Sequence, residues 1–331
     1  MFDIITFGSA TWDISLKVSG KRVKDNADLI LDKGICFNLG SKIDIDDMYF
    51  SFGGGGINTA TTFKNQELKV AYCGSVGEDI PGKEIIEYLK EKGINDSLVV
   101  KVKKPTNNSV IFHIPNEDRT VLAYRGASEL LNKKDINWNN LKSSWFYLAP
   151  LSGKLSSNTQ DIVDYAKKQG IKTLVNFGNS QLKMSKSKIK DILKKTDVLL
   201  LNKEEAALLT GVNYENEDKI IKKINELHQG ISIITKAEEG VIVLDKKYIY
   251  EARLKRFKVV DKTGAGDSFG SGFISGLIRS KGDIECAIKF GLVNSKHCLM
   301  FKGATNGLLK EKDNYLIAKE KIKIKVKGLA K

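Results

Sequence analysis

Cysteine and histidine are scarce in this 331-residue sequence, and neither is arranged as a set of metal ligands. The four cysteines, Cys36, Cys73, Cys286 and Cys298, show no C-x-x-C spacing, and only three histidines are present. A zinc site is therefore not expected. Isolated cysteines are typical of proteins whose thiols stay reduced, so we expect a cytoplasmic protein.

Long apolar runs are also missing. No window approaches 18 consecutive apolar residues, so neither a transmembrane helix nor a membrane partner is expected. The first residues, M-F-D-I-I-T-F-G, lack a basic region followed by an apolar core, and they predict a first strand rather than a signal peptide. The sequence has no internal repeat and no low-complexity linker, which favours one domain over residues 1–331.

Acidic residues are the minority, because 40 Asp and Glu face 54 Lys and Arg, for a formal net charge of +14. A nucleic-acid binder would interleave such charge with aromatic side chains that stack on bases. The clearest basic cluster, residues 310–331, instead contains lysines that alternate with isoleucine and valine. This pattern predicts an edge strand with a solvated face, and no specific nucleic-acid partner. A modest attraction for anionic substrates such as nucleotides is still expected.

Apolar runs of strand length alternate with amphipathic segments of helix length along most of the chain. This alternation indicates a parallel sheet covered by helices on both faces. We predict strands at residues 4–8, 70–74, 145–149, 173–176, 198–201, 231–235 and 241–244. We predict helices at residues 57–66, 82–92, 158–169, 186–194, 203–209 and 218–229.

Two segments, at about residues 14–52 and 98–125, lack helical periodicity. The second contains V-I-F-H-I and T-V-L-A-Y, separated by the polar P-N-E-D-R, which is a hairpin pattern. We expect both segments to form a small β lid over the edge of the sheet where doubly wound folds bind ligands.

A glycine-rich run, D-K-T-G-A-G-D-S-F at residues 261–269, carries the strongest functional signal. A strand-like run at 255–260 precedes it and helical periodicity follows, so we predict a strand-to-helix junction. Unpaired N–H groups at a helix N-terminus attract phosphate, and glycines let the phosphate approach the backbone. The carboxylate of Asp267 repels phosphate, so its presence here needs an explanation. It is explained if Asp267 takes the proton from a hydroxyl that attacks the phosphate. The plainer interpretation of Asp267 is a helix cap.

The nine-residue run resembles the second signature of the phosphofructokinase B/ribokinase family of sugar and nucleoside kinases, D-T-x-G-A-G-D-x-F, with Lys262 where Thr is usual. The resemblance implies a ribokinase-like three-layer αβα sandwich with a mostly parallel central sheet and a β-sheet lid. It also implies that Asp267 is the catalytic base, and that the amides of Gly264, Ala265 and Gly266 hold the γ-phosphate.

A second glycine cluster, G-G-G-G-I-N-T-A at residues 53–60, could be a hinge between the lid and the core. It also matches the family's first signature, G-G-x-x-x-N-x-A, in which the turn lies under the sugar. The resemblance therefore implies that glycines such as Gly54 and Gly55 admit the sugar ring, and that Asn58 bonds one of its hydroxyls.

Asp13, which follows the first strand, matches a family Asp that accepts hydrogen bonds from two sugar hydroxyls. An ionised carboxylate suits that task because it is a strong acceptor. A turn or cap residue is the alternative interpretation. Ribokinases proper place Asn two residues earlier, where this chain has Thr11, and this difference weakens ribose as the specific substrate.

Two further motifs resemble the family's nucleotide side. N-K-E-E at residues 202–205 matches N-x-x-E, which implies that Asn202 and Glu205 orient waters around Mg²⁺, although an ordinary helix start has the same pattern. T-K-A-E-E-G resembles T-x-G-x-x-G, whose backbone at Thr235, Ala237 and Gly240 would line ATP. Ala237 replaces the middle glycine, which is tolerable unless that position needs a positive φ.

The resemblance also implies a site for a monovalent cation. Asp261 and Thr263 occupy positions that help to bind such an ion in many relatives, and F-K-G-A, which includes Gly303, resembles the loop that completes the site. A potassium requirement is therefore a hypothesis. A homodimer through the lid is another, because β lids in this family often pair.

These motifs appear in family order from the first strand to Gly303. We expect a kinase that uses ATP and Mg²⁺ to phosphorylate a hydroxymethyl group of a sugar or sugar derivative. A nucleoside kinase of the same family is the alternative, and Trp12, Tyr49 and Phe112 could then enclose the base. Arg125, just after the lid hairpin, would meet the carboxylate of an acidic sugar or lie on the surface.

A non-catalytic sugar sensor on a kinase scaffold is the alternative from a different class. The intact Asp267 and its glycines argue against it.

Overall fold

A computed structural model of the chain describes residues 1–18, 23–25, 33–114 and 119–329. The strands are β1 (Phe2–Phe7), β2 (Thr11–Lys17), β3 (Val23–Asp25), β4 (Lys33–Ile35), β5 (Asp47–Gly53), β6 (Val70–Gly77), β7 (Val99–Val102), β8 (Asn107–His113), β9 (Thr120–Tyr124), β10 (Ser143–Leu148), β11 (Lys172–Asn176), β12 (Val198–Asn202), β13 (Ile231–Thr235), β14 (Val241–Leu244), β15 (Tyr248–Ala252) and β16 (Ile324–Gly328). The helices are α1 (Gly55–Asn65), α2 (Ile80–Glu91), α3 (Gly153–Ser157), α4 (Thr159–Gln169), α5 (Asn179–Leu182), α6 (Lys186–Lys195), α7 (Lys203–Thr210), α8 (Glu217–Leu227), α9 (Ala265–Arg279), α10 (Ile284–Leu299) and α11 (Tyr315–Lys319).

In the described part of the chain, the larger sheet has ten strands in the order β16-β15-β14-β13-β12-β11-β10-β1-β6-β7. The strands from β13 to β7 pair in parallel, whereas β14, β15 and β16 extend the sheet with antiparallel pairs. Because helices cover a parallel sheet on both faces, its strands appear in the sequence as continuous apolar runs. The predicted strands at residues 4–8 to 241–244 are all present, with ends that differ by a few residues.

Helices pack on both faces of this sheet. On one face α1, α2, α9 and α10 enclose a core in which Phe63 and Phe273 meet Tyr72 and Tyr147 of the sheet. On the other face α3, α4, α6 and α8 enclose a second core around Phe7 and Phe146. The predicted three-layer αβα architecture is therefore confirmed. None of the described helices has the length and hydropathy to cross a membrane.

The predicted lid is a four-stranded sheet in the order β5-β2-β8-β9. It begins at Thr11, before the predicted boundary at residue 14. β7 lies inside the predicted lid segment 98–125 but pairs with β6 in the larger sheet, because Val99 and Val100 pack against its two cores. Residues 19–22 and 26–32 of the first predicted lid segment, and 115–118 of the hairpin turn, lie outside the described residues.

The strand expected at residues 255–260 does not form. β15 ends at Ala252, and the next regular element is α9. Val259 and Val260 are 43% and 48% exposed, so their apolar side chains do not join a buried face. The glycine-rich run is therefore preceded by a loop. The predicted basic edge strand is confirmed, since β16 pairs with β15 at the end of the sheet and its lysines are exposed.

Candidate active site

The glycine-rich run 261–269 forms the start of α9. Gly264 is the N-cap and adopts φ 78°, in the left-handed region that favours glycine. Within the described residues, the N–H groups of Gly264, Ala265 and Gly266 donate to no acceptor, and open space surrounds Gly266. An anion would therefore meet unpaired donors at the positive end of a 15-residue helix.

Asp267 lies in the first turn of α9, and Asn58 Nδ2 donates to its Oδ2 at 2.8 Å. Burial raises the pKa of Asp267, and the hydrogen bond from Asn58 opposes this rise. A Cβ built on Gly55 would lie 3.3 Å from Asp267 Oδ1, so the second glycine cluster faces this carboxylate. The cap interpretation of Asp267 is wrong, because Gly264 is the N-cap and the Asp267 carboxylate accepts from the Asn58 side chain rather than from a backbone N–H of the described structure.

The glycines at residues 53–56 are closely packed, which argues against a flexible hinge. A Cβ on Gly56 would lie 2.4 Å from Tyr72 Cε2, and one on Gly54 would lie 2.5 Å from the carbonyl oxygen of Ser9. A Cβ on Gly53 would lie 2.2 Å from Asp13 Oδ2. Larger residues at these positions would displace the backbone or the Asp13 carboxylate.

Asn58 has a second polar atom at the site. Its side chain is 4% exposed, and its Oδ1 has no hydrogen-bond partner among the described residues. A buried amide oxygen without a donor is costly. This oxygen is therefore a position where a hydroxyl of a bound molecule can donate.

Asp13 lies within β2 and faces the site from the lid. It is 7% exposed, and burial raises its pKa to about 6, although a hydrogen bond with Ser109 lowers it and the charge of Asp261 adds to the rise. The register pairs Asp13 with Ser51 on β5 and Ser109 on β8. The turn or cap interpretation of Asp13 is therefore wrong. No sequence motif indicated Ser109, because its contact with Asp13 depends on this strand pairing.

The three aromatic residues expected to enclose a base do not share one face of the lid. Side chains alternate across a strand, and residues that are paired directly lie on the same face. Tyr49 pairs with Ser15, two residues from Asp13, so Tyr49 lies on the face of Asp13. Trp12 and Phe112 lie on the opposite, outer face.

Asp261, Thr263 and Gly303 are brought together as predicted. The Thr263 amide and hydroxyl donate to Asp261 Oδ1 at 2.9 and 2.6 Å, and the Gly303 amide donates to Asp261 Oδ2 at 3.0 Å. Although burial raises the pKa of Asp261, these hydrogen bonds and the charge of Arg119 lower it overall. The carboxylate is therefore held ionised. Elsewhere, no cluster of three His, Cys, Asp or Glu side chains suited to a metal occurs among the described residues.

Asn202 and Glu205 form a capping box at the start of α7. Asn202 Oδ1 accepts from the Glu205 amide at 2.8 Å, and Glu205 Oε2 accepts from the Asn202 amide at 2.9 Å. Burial raises the pKa of Glu205, and the backbone hydrogen bond opposes this rise. The helix-start interpretation is therefore correct, and the magnesium role stays a prediction.

The turn after Thr235 needs left-handed backbone at two positions. Gly240 adopts φ 98°, and Ala237 adopts φ 46°. The φ of Ala237 is positive, and a positive φ is the case in which the family's glycine would be needed at this position. Ala237 therefore carries backbone strain. The Lys236 amide donates to the Gly240 carbonyl at 2.8 Å and closes the turn.

Glu217, which no sequence motif indicated, connects the N-K-E-E motif at residues 202–205 with the T-K-A-E-E-G motif at residues 235–240. Lys236 Nζ donates to Glu217 Oε1 at 2.9 Å, and Lys203 Nζ lies 3.6 Å from Glu217 Oε2. No spacing rule could have found this cluster, because its members come from three separate segments. Arg125 is exposed, and it forms no hydrogen bond or ion pair with the residues that the structure describes. Its predicted role stays a prediction.

Comparison with known proteins identifies the family of the chain. The model of the pfkB family of carbohydrate kinases matches residues 24–310. The chain is 25% identical over 289 residues to a ribokinase of Haemophilus influenzae, covering 86% of this chain and 92% of that protein. It is 27% identical over 262 residues to a nucleoside kinase of Methanocaldococcus jannaschii, covering 78% of this chain and 82% of that protein.

The fold is also similar to that of Arabidopsis thaliana ribokinase, whose structure was solved in complex with ribose and ATP. The TM-score is 0.77 at 20% sequence identity, over 96% of this chain and 99% of that one. The family match covers most of the chain, and sugar kinases and nucleoside kinases are both among the similar proteins. This chain therefore belongs to the pfkB family of carbohydrate kinases, and it is a phosphotransferase that acts on an alcohol group of a sugar or nucleoside.

Proposed function

We propose that this protein transfers the γ-phosphate of ATP to a hydroxymethyl group of a sugar or sugar derivative, with Asp267 as the general base. The observation that carries the proposal is the 2.8 Å hydrogen bond from Asn58 to Asp267. It joins the glycine cluster that would hold the sugar to the helix start that would hold the phosphate. The related Arabidopsis ribokinase, solved with ribose and ATP, supports this assignment of ligands.

Asp13 and Asn58 would hold the acceptor sugar. The Asp13 carboxylate is ionised above its pKa of about 6, and it can then accept hydrogen bonds from sugar hydroxyls. Asn58 Oδ1 offers a second buried acceptor. Gly54 and Gly55 would meet the ring with their backbone, which packs so closely on Ser9 and Ala149 beside Asp267 that a Cβ at either position would clash.

Asp267 would take the proton from the hydroxymethyl group as its oxygen attacks the γ-phosphate. Burial raises the pKa of Asp267, which makes it a better proton acceptor near neutral pH. Asn58 holds Asp267 Oδ2 and leaves Oδ1 on the side of Gly55. The free amides of Gly264, Ala265 and Gly266 would stabilise charge on the transferring phosphoryl group.

Asn202 and Glu205 would bind Mg²⁺ through water. The donor set fits, because the capping box uses Glu205 Oε2 and leaves Oε1 without a hydrogen bond in the described structure. When bound, Mg²⁺ neutralises charge on the phosphates. Thr235, Ala237 and Gly240 would line the nucleotide with their backbone.

We also propose a monovalent cation site beside the helix start, formed by Asp261, Thr263 and Gly303. The ionised Asp261 and its contacts to the other two residues support it. The test is turnover in potassium buffer against a buffer that contains only a large organic cation. Equal rates in the two buffers would exclude a potassium requirement.

A nucleoside acceptor is the alternative. The sequence similarity to the Methanocaldococcus jannaschii nucleoside kinase is the reason to include nucleosides among the acceptors tested. A sugar is favoured, because only Tyr49 of the three expected aromatic residues lies on the face of Asp13. If the sugar is acidic, Arg125→Gln should lower activity with that sugar and spare activity with neutral ones.

The outer face of the lid supports a homodimer. Met48, Phe50, Leu122 and Tyr124 are each about half exposed there, and an exposed apolar patch of this kind marks an interaction surface. Light scattering should detect a dimer for the wild type and a monomer for Phe50→Glu.

We also propose that the chain is one domain, and that it works in the cytoplasm because all four cysteines are free.

The function can be tested by coupled ADP release over pentoses, hexoses, sugar acids, sugar phosphates and nucleosides. With the best acceptor, Asp267→Asn should lower kcat by at least ~10²-fold, because base catalysis typically contributes that much or more. Asp283→Asn is the matched control, because Asp283 caps the N-terminus of α10 and Asn caps equally well. Near-normal turnover by Asp267→Asn would exclude Asp267 as the base.

A further inference from the structure

A second cleft lies where the parallel strands β12 and β13 of the larger sheet begin, away from Asp267. Its volume is about 960 Å³, which is comparable to typical small-molecule sites. Val198 and Ile231, the first residues of β12 and β13, line this cleft, as do Leu277 and Ile278. The latter pair belongs to the C-terminal end of α9, whereas Asp267 belongs to its first turn. None of the kinase motifs uses this cleft.

The lining is strongly basic. It contains six lysines against two aspartates, Asp197 and Asp245. The lysines are Lys167, Lys172, Lys194, Lys246, Lys247 and Lys281. All six are exposed, and in the described structure none of them forms a salt bridge. The cleft therefore carries positive charge that no salt bridge of the described structure neutralises.

The two aspartates offset only part of this charge, because six lysines less two aspartates leave an excess of four positive charges. Asp197 Oδ2 accepts from the Thr173 amide at 2.8 Å. Asp245 Oδ1 accepts from the amides of Lys247 and Tyr248 at 2.7 and 2.6 Å, and Asp245 Oδ2 accepts from the Tyr250 hydroxyl at 3.1 Å. Both carboxylates thus hold the wall of the cleft in place.

The inner surface of the cleft is apolar. Trp145, Ile231, Leu277 and Ile278 line it, and Ile231 and Ile278 are partly exposed. The Lys172 ammonium lies over the Trp145 ring, 5.5 Å from its centroid. A small inorganic ion would contact the lysines but would leave this apolar surface unused. A molecule with an apolar or aromatic body and an anionic group would use both.

We propose that this cleft is a binding site for a small organic phosphate, separate from the kinase site. The phosphate would lie among the lysines, and the organic body would contact Trp145, Ile231 and Ile278. Apolar contact adds to the affinity in proportion to the area that it removes from water. The site therefore prefers an aromatic phosphate over inorganic phosphate.

The test uses the fluorescent probe 1-naphthyl phosphate with the intact protein, and a cleft variant separates binding in the cleft from binding at the kinase site. The cleft variant is Lys194→Glu with Lys246→Glu, two exposed lysines that form no salt bridge with the residues the structure describes. The control is Lys83→Glu with Lys101→Glu, which makes the same change of charge at exposed positions on α2 and β7. Urea unfolding midpoints confirm that each variant folds.

The wild type and the control should bind 1-naphthyl phosphate with affinities within about twofold of each other, and the cleft variant should bind it at least ~10-fold more weakly, since two charge reversals remove the excess positive charge. Inorganic phosphate should bind the wild type at least ~10-fold more weakly than the probe, because it has no body to bury. No saturable binding at millimolar probe, equal loss in the control, or equal affinity for inorganic phosphate would each overturn the proposal.

Discussion

Replacing Asp13 by Asn should stabilise the fold at neutral pH while it weakens binding of the acceptor. The carboxylate is 7% exposed, and burial raises its pKa from the ordinary value of 3.8 to about 6. The difference is about two pH units, and each unit corresponds to about 1.4 kcal/mol. Keeping Asp13 ionised therefore costs the folded state about 3 kcal/mol, as an upper bound, above pH 6.

The pH dependence gives this prediction its sign. Below about pH 4 the Asp13 carboxyl is protonated in both the folded and the unfolded chain, so its ionisation costs nothing. Between about pH 4 and 6 the unfolded chain loses the proton first, and the free energy of unfolding falls. Above pH 6 the cost is constant. Asn does not titrate, so the variant avoids this loss.

The assay is urea unfolding of both proteins, followed by circular dichroism, at several values between pH 4 and 7.5. The free energy of unfolding of Asp13→Asn minus that of the wild type should rise by up to about 3 kcal/mol across this range. Groups that titrate equally in both proteins cancel in the difference. A difference that stays flat with pH would refute the argument that burial makes the ionised Asp13 costly.

Asp79→Asn is the matched control. Although burial raises the pKa of Asp79, hydrogen bonds from Thr106 and Gly82 lower it overall. Ionised Asp79 therefore stabilises the folded state above about pH 4, and this stabilisation is lost only as the pH falls below about 4 through the lowered pKa of the folded state. Between pH 4 and 7.5 the difference for Asp79→Asn should therefore stay flat while that for Asp13→Asn rises, which would separate the effect of burial from a general effect of removing a carboxylate.

Two other substitutions test local strain and buried polar atoms. Ala237→Gly should raise the unfolding free energy by up to about 1 kcal/mol, because relief of the left-handed φ exceeds the added freedom of the unfolded chain. Its control, Ala166→Gly in the middle of α4, should lower the unfolding free energy by about 1 kcal/mol. Tyr147→Phe should be neutral or stabilising by about 1 kcal/mol, because the buried Tyr147 hydroxyl has no partner among the described residues. Tyr72→Phe should cost about 1 kcal/mol, because its hydroxyl donates to Gly8. Thermal unfolding measures all four, and a stability loss in Tyr147→Phe as large as that in Tyr72→Phe would contradict the second prediction.

The larger sheet could be predicted because the burial of each strand shows in the residues of that strand alone. β12 is buried on both faces, so it appears as the apolar run V-L-L-L, and helical periodicity on either side separates it from its neighbours. The lid was predicted only coarsely. Which residues share a face of the lid depends on which strands pair, and β2 pairs with β5 and β8 across long stretches of chain.

The site shows the same division. Motif spacing predicted Asp267, Asn58 and Asp13, because their residue types at these positions match a family signature. The sequence could not show that Glu217 links two lysines, since that contact depends on tertiary packing. Val259 and Val260 have strand-forming side chains, but the fold offers them no buried face, and local propensity therefore gave the wrong prediction.

The hydrogen bond between Asn58 and Asp267 also bears on how the enzyme is made, because it joins residues 209 positions apart. During synthesis, β1, β2 and α1 leave the ribosome long before α9. β1 lies inside the sheet between β6 and β10, so both of its edges are paired only after β10 has been made. Asp267 arrives later still, when α9 packs against α1, and under the proposed mechanism a nascent chain without α9 therefore lacks its base. Turnover would thus report that the two ends of the chain have packed together.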